Sequence, residues 1–272
     1  MVYWGEAPDT VTVFHEDVSV EVKLHRAPSP SMYTNDISVC VGPMHWFNDW
    51  PRLIVFAEYL KSQGIKKFLL HVQSVSKTAK KVLDYYEKEG FLEVRGWPLL
   101  PFNKYWNPNL YTYNVAHHRE MYDCGFWSAS KWTFYGDLDD LPYIREKRGI
   151  NIPKEEALYL HMRANFDWDP NVTRIENRKY MDVKFFEEKA IDEKLEEIRE
   201  RIREILREEK PEYRGFEVMA AMDRCVKRLK QEDEPFNRTE CWNPGAPCFG
   251  DIYPLDEWVL AKPEENNKFH IL

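Results

Sequence analysis

Read from its N-terminus, the chain opens with strict alternation: Val18-Ser19-Val20-Glu21-Val22-Lys23-Leu24 sends every second side chain to one face, and Thr10–Phe14 does so over a shorter stretch. The break at Pro28-Ser29-Pro30 closes this part, and residues 1–36 are expected to form a β-rich extension. The period then changes. Ile37–Val41 is a short run ending at Gly42-Pro43, as a buried strand and the loop after it would. Asp49-Trp50-Pro51 supplies a helix cap with proline in the first turn, and Leu53, Ile54, Phe56, Ala57 and Leu60 recur at helical spacing up to Gly64. The unit repeats with a strand at Lys67–Val72, a helix at Ser76–Lys88 stopped by Gly90, and a strand at Phe91–Val94. Beyond a Pro- and Asn-rich stretch, Pro98–Asn109, a helix over Tyr113–Phe126 leads into the apolar run Trp132–Tyr135. Strands alternating with helices predict an α/β fold whose central sheet is mixed but mainly parallel, flanked by helices.

The second half continues with a strand at Ala157–Met162 and the longest helical signal of the chain, 182–209. There Ile191, Leu195, Ile198, Ile202 and Ile205 recur in one stripe, while Glu and Arg alternate elsewhere in supportive pairs. The run holds too few heptads for a coiled coil, so the stripe is expected to pack on its own domain. A helix over Phe216–Leu229, a loop-rich segment and a closing strand at Glu257–Lys262 complete a single domain, 37–272, with halves 37–150 and 151–272.

Composition narrows the function classes. A hydrophobic content of 43% excludes disorder, and a net charge of −8 excludes a nucleic-acid backbone binder. No apolar run is long enough to span a membrane and no apolar leader follows Met1, so any membrane tie is expected through an anchor outside this chain. None of the five cysteines forms a C-x-x-C pair, which removes the usual zinc pattern. Cys40 reads as a small buried residue instead of a disulfide partner, whereas Cys225, Cys241 and Cys248 can supply one bridge. Asn171-Val172-Thr173 and Asn237-Arg238-Thr239 match glycosylation acceptors, which matter only in a secretory chain.

The chemistry concentrates where the run Trp132–Tyr135 ends: Gly136-Asp137-Leu138-Asp139-Asp140 brings carboxylates to the end of a strand. Asp137 and Asp139 are two apart and share a side in an extended chain, and such hard oxygens suit Mn²⁺ or Mg²⁺. The plain alternative is a polar turn whose aspartates serve turn chemistry. No glycine-rich phosphate loop occurs in the first half.

The segment Tyr122-Asp123-Cys124 followed by Lys131–Asp140 resembles the core of the family 92 glycosyltransferases. Val39–Pro43, Glu58–Phe68, Val82–Val94 and Trp258–His270 resemble further stretches of that family in the same order. Departures are Tyr122 in place of an asparagine and Asp140 in place of a glutamate, while helix 182–209 matches nothing in the pattern. The resemblance implies a GT-A-type nucleotide-sugar-binding fold in the Golgi lumen, with transfer of galactose from UDP-galactose, with inversion, to a glycan. It implies donor contacts from Val41, Gly42, Pro43, Asp123, Asp137 and Leu138, and a Mn²⁺ or Mg²⁺ ion held by Asp137, Asp139 and the closing His270. A base must take the acceptor's proton, for which Asp251 and then Asp223 are the expected carboxylates. The competing class is a catalytically silent relative that binds a carbohydrate or a partner. A phosphohydrolase is disfavoured, since no nucleophile motif or paired-metal cluster is evident.

Overall fold

The computed structural model describes residues 8–26, 28–101, 105, 113–138, 140–144, 157–161, 188–207, 209, 211–233, 248–262 and 269–271. The opening alternation becomes a hairpin: β1 (Thr10–His15) pairs antiparallel with β2 (Val18–Arg26), placing Val11 opposite Val22 and Val13 opposite Val20. Neither face is covered, because Val13 is 60% exposed and Phe14 77%. The hairpin therefore stands off the core.

The core is built around β3 (Asn35–Met44), whose Val39, Cys40 and Val41 are buried in succession, as a strand covered on both faces requires. It runs through Gly42 and Pro43 instead of ending there, and its ladder slips between Val41 and Met44, where Pro43 has no N–H to donate. Helix α1 (Trp50–Ser62) starts where the Asp49 carboxylate accepts the Arg52 N–H at 3.3 Å, and it buries Leu53, Ile54, Phe56, Ala57 and Leu60. The left-handed Gly64 (φ 75°) turns the chain into β4 (Lys67–Val72). A short β5 (Ser74–Ser76) precedes α2 (Lys77–Lys88), capped by the Ser76 hydroxyl on the Ala79 N–H, and then comes β6 (Leu92–Gly96). Helix α3 (Tyr113–Trp127) returns the chain to β7 (Ser130–Gly136).

These strands form one parallel sheet in the order β6-β4-β3-β7. The chain steps from β3 outward to β4 and β6, then crosses back to place β7 on the other side of β3. The gap between β3 and β7 is thus the topological switch point of the sheet, where open α/β folds take ligands.

Strand β8 (Asp140–Ile144) pairs antiparallel with β9 (Ala157–His161). Pro142 lies inside β8, opposite Tyr159, as a two-stranded ladder permits for a residue without an N–H. Helix α4 (Glu188–Leu206) packs Ile198, Ile202 and Ile205 on the main core, as its stripe predicts, while Leu195 stays 46% exposed. Its expected first turns, 182–187, lie outside the described residues. Arg201 pins it: Nε donates to Glu58 Oε1 at 3.1 Å, and a guanidinium N–H reaches the Tyr85 hydroxyl.

Helix α5 (Gly215–Asp233) and the short α6 (Phe249–Ile252) close over Trp46 in a second cluster with Val218, Ala221 and Ile252. The Cys225–Cys248 disulfide joins them, the single late bridge that the cysteines allowed. Strand β10 (Trp258–Leu260) pairs with β5, and β11 (Phe269–Ile271) lies parallel to β2.

Cys40 corrects the sequence reading. It is buried, and it is also bonded to Cys124 on α3, with the two Cα atoms 6.1 Å apart. Burial and pairing coexist because α3 lies on the face of β3 toward which Cys40 points, together with Leu69.

Candidate active site

Val41 lies opposite Gly136, the last pair of the β3–β7 ladder, so Gly42 and Asp137 follow it side by side at the switch point. They line a cavity of about 240 Å³ with Cys40, Glu120, Met121 and Tyr135. The glycines at 42 and 136 put no side chain into its mouth. The Tyr135 hydroxyl donates to the Met121 carbonyl at 2.5 Å, which fixes strand wall to helix wall. Asp137 is exposed at the rim.

Behind this cavity, α3 turns two carboxylates onto His71 of β4. Nε2 of His71 donates to Asp123 Oδ2 at 2.9 Å, and its Nδ1 stands 3.4 Å from Glu120 Oε1. Glu120 and Asp123 are three apart on one helix, which puts both on the face toward β4. His71 is fully buried and Glu120 is 2% exposed, with Trp97 edge-on to the imidazole at 5.0 Å. Burial opposes a charge on His71, but the hydrogen bond to Asp123 and the attraction of the nearby Asp123 and Glu120 carboxylates outweigh it and raise its pKa above the ordinary imidazole value. The Cys40–Cys124 bridge, one residue past Asp123, ties this helix to β3.

The family model described as Glycosyltransferase family 92 matches residues 35–213, from the first residue of β3 to beyond α4. The chain belongs to glycosyltransferase family 92. A family 92 protein of Caenorhabditis elegans is 26% identical to it over 153 residues, which is 51% of this chain and 30% of that relative. The match therefore spans under a third of the relative's length. No solved structure matches the chain.

Within this family 92 chain, the residues expected to contact a donor fall in different places. Gly42 and Asp137 line the cavity, Asp123 lies behind it on His71, and Pro43 is half-buried beside it in sequence. The Val41 side chain is in the hydrophobic core, against which Leu138 also packs. Asp139 and the side chains of Asp140 and His270 lie outside the described residues, although the His270 backbone is placed in β11 beside His25. Among the described residues no group of three or more His, Cys, Asp or Glu side chains forms a metal cluster. Asp223 lines a second groove, about 420 Å³, with His45, Trp46, Asn48 and Met222, and it pairs with Lys227 at 2.7 Å. Asp251 instead accepts two hydrogen bonds from Arg228 at 2.8 and 3.2 Å, which hold its carboxyl below the usual carboxylate range. Sequence reasoning missed His71 and Glu120. Their signal was a histidine inside the apolar strand Phe68–Val72, which needs a polar partner when buried.

Proposed function

We propose that this chain is a metal-dependent, inverting hexosyltransferase of GT-A type, moving galactose from UDP-galactose to a glycan hydroxyl in the Golgi lumen. The observation that carries the reading is the placement of Gly42 beside Asp137 at the switch point of a parallel sheet, over a cavity, in a family 92 chain. Switch points of this kind accept nucleotides because strand ends and loops there leave an open crevice. The two disulfides support an oxidising compartment. No helix among the described residues is long and apolar enough to cross a membrane.

A diphosphate brought to a protein of net charge −8 needs local positive charge. Asp137, an exposed hard-oxygen donor at the cavity rim, fits a divalent ion there, and it would hold Mn²⁺ or Mg²⁺ with Asp139 and His270. Bound there, the ion supplies charge that eases departure of the nucleoside diphosphate. The chain's own residues shape the rest. Gly42 and Gly136 let a ligand approach the backbone closely, and Tyr135, held on the Met121 carbonyl, walls the cavity. The groove beyond the end of β3, floored by Trp46 and Met222, offers an apolar surface to an acceptor sugar. Asp223 on that groove is the base this reading favours: its partner Lys227 is exposed, whereas Asp251 is tied by a guanidinium that weakens it as a base. Asp223 takes the proton as the acceptor oxygen attacks from the face opposite the leaving group.

The test is turnover of UDP-galactose with Mn²⁺ against a panel of glycan acceptors, with the product anomer read by NMR. Transfer with inverted configuration supports the reading. Donor binding without transfer or hydrolysis on any acceptor overturns it in favour of a silent binding relative, and preference for another nucleotide sugar overturns the galactose assignment.

A further inference from the structure

Glu120 is 2% exposed, lines the cavity at the switch point, and receives no hydrogen bond at Oε1. Its nearest cationic neighbour is His71, whose Nδ1 is 3.4 Å away, too long for a good hydrogen bond and likewise without one. A buried carboxylate left short of donors is costly, so a partner for it is expected. The imidazole between Glu120 and Asp123 supplies one positive charge but no hydrogen bond to Oε1. A phosphate oxygen cannot serve, because when ionised it has no proton to donate to the carboxylate. What the wall lacks is a neutral hydrogen-bond donor. The cavity, about 240 Å³, is smaller than the roughly 300–1,000 Å³ typical of whole-ligand pockets, so it takes one ring of a larger ligand.

We propose that Glu120 is a binding residue for the nucleotide sugar, accepting a hydrogen bond from a hydroxyl on a sugar ring seated between β3, β7 and α3, with His71 as the positioning residue that holds the carboxylate. The inference rests on the donor-site reading above and adds to it the wall against which a sugar ring is recognised. The hydroxyl belongs to the ribose or to the transferred hexose. A hydroxyl donating to an ionised, desolvated carboxylate makes a strong contact, and the conservative amide at this position weakens it without changing shape.

Calorimetric titration in Mn²⁺ compares UDP with UDP-galactose on the native chain and on Glu120→Gln. A loss of about 10- to 100-fold is expected for the variant. Equal loss for UDP and UDP-galactose assigns the ribose, and a loss confined to UDP-galactose assigns the hexose. The analogue lacking the contacted hydroxyl, 2′-deoxy-UDP or a deoxygalactose donor, should then bind native and variant chains equally, which a merely structural defect would not produce. Should Glu120→Gln fail to fold, Glu120→Asp keeps the charge, shortens the reach, and enters the same comparison. Native affinity for both ligands in the variant overturns the assignment, as does an equal loss across the deoxygenated analogues. Failure of the native chain to bind UDP or UDP-galactose overturns the donor-site reading itself, and this inference with it.

Discussion

Nε2 of His71 and Oδ2 of Asp123 stand 2.9 Å apart, joining the interior of β4 to the helix that precedes β7. Because the carboxylates of Asp123 and Glu120 raise the folded-state pKa of His71, the charged imidazole is favoured by folding. That contribution is complete below the ordinary imidazole value, near 6.5, and is lost as the pH climbs through the raised value. Unfolding free energy from urea titrations should therefore fall as the pH rises above about 6.5. His71→Leu should abolish that slope and cost about 3 kcal/mol or more, since it leaves Glu120 and Asp123 without their cation. A native protein of pH-independent stability above that value would remove the charged imidazole.

The bridge between Cys40 and Cys124 spans 84 residues, and its loss should cost about 2–5 kcal/mol through freedom restored to the unfolded chain. The paired variant Cys40→Ser with Cys124→Ser should melt lower than the native chain under non-reducing conditions. Under reducing conditions the two should converge, apart from the shared effect on the other bridge. Melting curves that coincide without reductant would show the bridge to be unformed.

Helix α4 should depend on one cation more than on its many surface pairs. Arg201→Ala removes one partner of buried Glu58, which keeps Tyr86 and Lys61, and is expected to cost about 1–3 kcal/mol. Arg203→Ala removes an ion pair with the exposed Glu196 and should leave the melting temperature where it is. Equal shifts for the two variants would mean that the helix is held by its Ile stripe alone.

Asp137→Ala should reduce Mn²⁺-dependent UDP binding, because the side chain offers a carboxylate at the cavity rim. Affinity that is the same with metal and with chelator, before and after substitution, would remove the ion from the site.

The two carboxylates considered as base separate by kinetics. Asp223→Asn is expected to cut kcat by about 100-fold with little change in the donor KM, as loss of a general base does. Asp251→Asn should leave transfer intact while loosening α6 from Arg228. The reverse outcome would move the base to Asp251.

Most of the sheet was legible because its signals are local. The caps at Asp49 and Ser76, the stops at Gly64 and Gly90, and the buried stripes of α1 and α2 each lie within one turn or one period. Pairings between distant segments were not legible. Nothing near Cys40 announces Cys124, nothing near Ser74–Ser76 announces that β10 will lie beside it, and the alternation of the first hairpin does not reveal that no layer covers it. At the candidate site, Gly42 and Asp137 were identified from motif stretches, whereas Glu120 and His71 belong to no short pattern. They become chemically connected only when α3 packs against β4.

The two bridges also carry a consequence for biosynthesis. They are consecutive along the chain, Cys40 with Cys124 and Cys225 with Cys248, and do not interleave. A chain entering an oxidising lumen N-terminus first presents its first pair roughly ten seconds ahead of Cys225. The first bridge can therefore close before the three later thiols, Cys225, Cys241 and Cys248, have followed it. The second has no such protection, because Cys241 emerges between its partners and is the nearer thiol to each of them along the chain. Misoxidation should accordingly concentrate in 225–248, and Cys241→Ser should raise the yield of uniformly oxidised protein while leaving the first bridge unaffected.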